Sequence, residues 1–147
     1  MQTNEQDNSS AGTIQTGRAG ATRRLMAGRL LSRLGVLFLL FDSAGKLLQV
    51  QPVLDGTAQL GYPRHIVFSL GAILLSCVVA YVIPRTSVLG ALLLTGYLGG
   101  AVATHVRVEN PLFSHVLFPT YVAAVLWGGL ILRDARLGAF LPVRRQS

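Results

Sequence analysis

Charge is scarce in this chain: Asp, Glu, Lys and Arg make up only 13% of its 147 residues, roughly half the share in an ordinary soluble domain. Cysteine is scarcer still. Cys77 is the single one, which excludes an internal disulfide and any CxxC pair, and its place inside an apolar run reads as a buried, inert thiol. A Rossmann glycine signature, iron–sulfur spacing and an HExxH motif are also missing, so the residues by themselves supply neither a redox centre nor a metal-ligand motif.

Hydrocarbon takes the place of charge. Hydrophobic residues make up 51% of the chain and the mean hydropathy is +0.51, which is the composition of a membrane protein, at a length that suits one domain. Thirteen Lys and Arg stand against six Asp and Glu, a net +7. That excess would suit nucleic acid only if the cations formed a stripe with aromatics. Instead Arg18, Arg23, Arg24, Arg29 and Arg33 precede the first apolar run, and Arg133, Arg136, Arg144 and Arg145 follow the last. The expected partner is the lipid bilayer, with no nucleic acid.

Residues 1–22 are polar, Gly/Ser/Thr-rich and free of aromatics, too poor in apolar surface to offset the entropy of ordering, and are read as a disordered cytoplasmic tail. The Asn8-Ser9-Ser10 acceptor match within it is a chance one on that reading. Residues 23–141 form the membrane domain and 142–147 a basic C-terminal tail. Four apolar segments run from about Leu30 to Val50, Ile66 to Ile83, Ser87 to about His105, and Val116 to Leu132. A bilayer core of roughly 30 Å needs about 17 to 20 helical residues. The fold class predicted is therefore all-α: a four-transmembrane-helix bundle behind a disordered N-terminal tail. Continuous apolar runs exclude a barrel, whose strands alternate. Between the first two spans, PVLDGTAQLGYP suits a short helix at the membrane surface.

Lys and Arg set the orientation. With the N-terminus inside, nearly all arginines are cytoplasmic and only Arg64 and Arg107 lie outside, which places both termini in the cytoplasm. Basic residues ahead of an apolar run also describe a cleavable signal, but three further spans favour a retained first helix.

The first span holds an oddity. From Leu34 to Phe41 it is wholly apolar, and then Asp42 and Lys46 arrive four apart, on one helix face. Asp42 lies nine residues beyond Arg33, about 13 Å deeper at the helical rise. A charge left against lipid there costs about 2.5 to 3.5 kcal/mol, so both groups should look into the bundle. The alternative is a helix broken near Gly45, with the pair marking its wet outer end. Asp42, Lys46, Thr104, His105 and Arg107 are predicted to form a polar outer pocket. On the third span Gly96, Gly99, Gly100 and Ala103 form small-residue steps suited to close helix packing, with Thr95, Tyr97 and Thr104 able to hydrogen-bond across the seam. His65, His105 and His115 all fall at span ends on the outer side without ligand spacing, so no metal is assigned. Pro119 is expected to kink the last span and Trp127 to anchor it at the interface.

FDSAGKLL, LGYP, IPR, LGALLLTGYLGGAVATHVRV and WGGLILRD, spread over about Val36 to Leu141, resemble the DoxX-like family of small four-helix bacterial membrane proteins. The resemblance implies the fold and a link to membrane redox complexes: a subunit or accessory of a quinone-linked system, catalytic or not, in which a quinone in the bundle or a partner subunit supplies any redox chemistry, with other membrane subunits or further copies of the chain as partners. It carries no catalytic residues across. Two rival expectations stand beside it. One is a structural or assembly bundle built around the glycine seam; the other is a small-molecule or proton carrier using Asp42 and Lys46.

Overall fold

The computed structural model describes residues 3–134 and 137, with side chains from Gly20 onward. All its regular elements are helical: α1 (Thr3–Leu47), α2 (Gln51–Gln59), α3 (Arg64–Val82), α4 (Ser87–Arg107) and α5 (Phe118–Arg133), with a single wide turn, Leu112–Val116, leading into α5. The residues expected to form a disordered tail continue α1 from Thr3; lengthening a helix already anchored by packing needs no new nucleus. The basic tail at 142–147 lies outside the described residues.

Backbone chemistry explains where the helices stop. Gln49 adopts a positive φ of 50° and turns the chain after α1, and Pro52 opens α2 in its first turn, where a missing N–H costs nothing. Gly61 takes φ +81° at the corner after α2, a conformation glycine enters freely. Pro84 closes α3. Pro119 also sits in the first turn of α5, so it starts that helix rather than kinking it.

Among the described residues, three stretches are long and apolar enough to cross a membrane: Arg64–Val82, Ser87–Arg107 and Leu112–Arg133. The expectation of four such helices is corrected at α1, whose apolar stretch is interrupted by Arg33, Asp42 and Lys46. Even so α1 is part of the bundle. It runs antiparallel to α3 and α5, with Ser32 beside Gly129, Gly35 beside Leu126 and Lys46 beside Gly71, and Phe38 meets Phe118 edge-on at 5.4 Å. In turn α4 is antiparallel to α3 and α5, so the order around the bundle is α1, α3, α4, α5.

Leu39, Leu74, Val78, Tyr81, Leu94, Leu126 and Leu130 fill the centre, and Cys77 is buried among them. Many large apolar side chains face outward, among them Phe41, Phe68, Ile73 and Leu92. Lipid removes the hydrophobic drive between helices, so their association depends on close approach and hydrogen bonds. The glycines that allow it are Gly28, Gly71, Gly90 and Gly129, where an added Cβ would strike the facing helix. Gly96, Gly99 and Gly100, expected to pack, have no neighbouring element within 4 Å of such a Cβ, and Ala103 is exposed. Among the described residues no helix packs onto these glycines.

Candidate functional site

A cavity of about 710 Å³ lies at the end of the bundle away from the arginine-rich face. Its walls come from α1, α4 and α5, and its roof from α2 and the 110–118 turn. The helical period fixes what enters it. On α1, Phe38, Leu39, Asp42 and Lys46 recur at intervals of one, three and four, so they share a face. On α4 the same spacing presents Gly96, Tyr97, Gly100, Ala101, Thr104 and His105. Gly96 and Gly100 thus face the cavity, and their missing side chains widen it.

Lys46 Nζ donates to Asp42 Oδ1 at 2.5 Å, and the two side chains are 14% and 33% exposed. A close pair on one turn of helix offers the cavity an almost neutral dipole rather than two lone charges, which lowers the cost of holding either in an apolar bundle. Around it stand hydroxyls and rings. Tyr62 and Thr104 hydroxyls meet at 3.0 Å, and Thr104 also donates to the Gly100 carbonyl at 2.9 Å. His105 Nδ1 lies 2.8 Å from Asn110 Nδ2 and its ring centroid 5.9 Å from that of His115. Apolar residues Leu39, Leu70, Leu98 and Val122 complete the lining. Polar groups at one side over an apolar floor are the construction of a small-molecule site.

Of the five residues assigned to a polar pocket, Asp42, Lys46, Thr104 and His105 line the cavity together. Arg107 does not. It donates from Nη2 to the Leu60 carbonyl at 2.7 Å and so ties the end of α4 to the corner after α2, because its exposed position points away from the bundle axis. His115 lines the cavity, whereas His65 is exposed outside it. Trp127, expected at the interface, packs partly buried against the core and donates to Thr95 Oγ1 at 2.9 Å, joining α5 to α4. Among the described residues no three of His, Cys, Asp and Glu converge as metal ligands would.

Sequence reasoning missed Tyr62, Asn110 and the α2 residues Val53, Gly56 and Thr57 as parts of the site. Their only sequence signal is the surface-helix pattern ending in GYP, which suggests a helix without indicating which cavity it covers. Tyr97 was expected to bond across a glycine seam and instead lines the cavity.

No curated protein and no solved structure matches this chain. The DoxX-like family matches residues 30–129, from the start of the apolar part of α1 to the last third of α5 and including every wall of the cavity. The chain is an integral membrane protein of the DoxX-like family.

Proposed function

We propose that this protein binds a small amphipathic ligand in its outer cavity, a quinone headgroup being the best chemical fit, as a subunit or accessory of a quinone-linked redox system in the bacterial inner membrane. The observation that carries this reading is the lining: an ion pair, two tyrosines and two histidines beside an apolar floor, in about 710 Å³. Tyr97, the Tyr62–Thr104 pair and His105 would hold carbonyl or hydroxyl oxygens; Leu39, Leu70, Leu98 and Val122 would face the ring. A bound quinone supplies two-electron chemistry that this chain's side chains lack. Asp42 and His105 offer groups able to take up or release protons at the cavity wall.

On this reading α1 is the fourth crossing. The length from Gly28, packed against Leu132, to Leu47, packed against Gly71, is about 29 Å at the helical rise, enough for the hydrocarbon core. Its Asp42 and Lys46 are sheltered by α2 and α4. Both termini are then cytoplasmic, and the cavity opens on the outer side.

The test is mass spectrometry of protein solubilised gently from its native membrane, paired with an ultraviolet spectrum before and after reductant. Co-purifying quinone whose spectrum changes on reduction, and whose occupancy falls in Asp42→Asn, supports the reading. Quinone-free protein that also takes up none on addition overturns it. A second reading, assembly into a larger complex, is favoured by Gly99 and Ala103, which lie outside the cavity on the exposed face of α4. A partner lost in Gly99→Leu would identify it.

A further inference from the structure

A second, smaller cavity of about 310 Å³ lies at the opposite end of the bundle, between α1, the last turn of α3 and the last turn of α5. Its lining has two parts. Arg29, Arg33 and Arg133 supply cationic groups, while Val36 and Val82 supply an apolar part. Arg133 lies over the Tyr81 ring with its guanidinium carbon 5.1 Å from the centroid. Its Nη2 is buried and has no hydrogen-bond partner. Among the described residues no carboxylate pairs with any of the three arginines.

A buried cationic donor without an acceptor is costly, and three unneutralised arginines around one cavity repel one another. A single anion with several acceptor oxygens relieves both. The nearby hydroxyls do not fill the role: Tyr81 already donates to the Leu126 carbonyl at 2.8 Å and shares a 3.0 Å hydrogen bond with Ser32. Phosphate fits the cations, because guanidinium N–H groups match its oxygens pairwise. The apolar side fits a lipid: Val82 and Ile83 are exposed next to the arginines, where the first methylenes of an acyl chain would lie.

We propose that Arg29, Arg33 and Arg133 bind a phosphate group, carried by an anionic phospholipid of the arginine-rich leaflet. The site is independent of the outer cavity and of any quinone, and requires only that the bundle be embedded as its apolar faces imply. A phosphate held here would bridge α1 to α5 where they enter the membrane.

The experiment is thermal unfolding of the full chain in a neutral detergent, titrated with phosphatidylglycerol, phosphatidylcholine or inorganic phosphate, with bound lipid counted by native mass spectrometry. Phosphatidylglycerol should raise the midpoint saturably and phosphatidylcholine should not. Because Arg29 and Arg33 are exposed, Arg29→Gln and Arg33→Gln leave packing intact and should each weaken the effect about fivefold. Arg133→Gln should abolish it. Arg85→Gln, on the same face but outside the lining, should leave it unchanged. An equal shift from inorganic phosphate supports the phosphate site with a soluble ligand in place of lipid. Equal shifts with the two lipids, or equal losses in Arg85→Gln and Arg33→Gln, overturn the proposal by reducing it to general attraction between a basic face and anions.

Discussion

Gly90 on α4 lies so near Tyr81 on α3 that a Cβ at position 90 would overlap the Tyr81 backbone nitrogen and Cα. The two helices touch main chain to main chain at this level, just after the tight Pro84–Thr86 connection. A glycine there is required by space, not by backbone conformation.

Replacing Gly90 by Ala should therefore destabilise the bundle by about 1 to 3 kcal/mol through forced separation of α3 and α4. Gly100→Ala, which meets nothing within 4 Å, should be neutral or slightly stabilising, since alanine is the better helix former. Chemical denaturation of the detergent-solubilised variants separates the two; equal losses would refute the assignment of close packing to Gly90.

Tyr81 also ties three helices through its hydroxyl, which meets Ser32 of α1 and donates to the Leu126 carbonyl of α5. Tyr81→Phe should cost about 1 kcal/mol, the usual scale for such a bond within a membrane bundle. Ser32→Ala should cost less, because the Leu126 bond persists. The double variant should fall short of the sum of the two, a shortfall that measures the Ser32–Tyr81 coupling.

The ion pair of the outer cavity makes a prediction of opposite form. Asp42→Asn or Lys46→Met alone strands one charge beside an apolar floor and should cost about 1 to 2 kcal/mol, less than a fully buried pair because Asp42 remains one-third exposed. Joining the two substitutions should restore much of the loss. Ligand occupancy should stay low in Asp42→Asn and in the double variant if Asp42 belongs to the binding site, so stability and binding are separable.

Topology follows from α1 crossing. Alkaline phosphatase fused to the C-terminus should be inactive and a fluorescent protein fused there should fold, the same result as at the N-terminus. Opposite results at the two ends would leave only α3, α4 and the Leu112–Arg133 stretch as crossings and would place Asp42 outside the membrane.

Much of this molecule can be read from residue order alone. The apolar runs mark α3, α4 and α5, and Pro52, Gly61, Pro84 and Pro119 punctuate the chain close to where helices begin or end. Asp42 and Lys46 stand out because charge in such a background is costly, and the i, i+4 spacing makes them neighbours on any helix. The glycines were legible only in part, for a physical reason. Spacing reports which small residues share a face, but Gly96 and Gly100 share a face with the cavity, whereas the closest approaches fall at Gly28, Gly71, Gly90 and Gly129.

Composition and periodicity thus determined the class, the helices and the identity of two costly charges, since each of these depends on local residue types and their solvent. Tertiary structure alone decided that α2 roofs the cavity, that His105 and His115 flank it while Arg107 braces a corner, and that Arg29, Arg33 and Arg133 surround a common space. Those relations depend on how helices rotate and cross against one another, and residues tens of positions apart carry no local signal of which neighbour they will face.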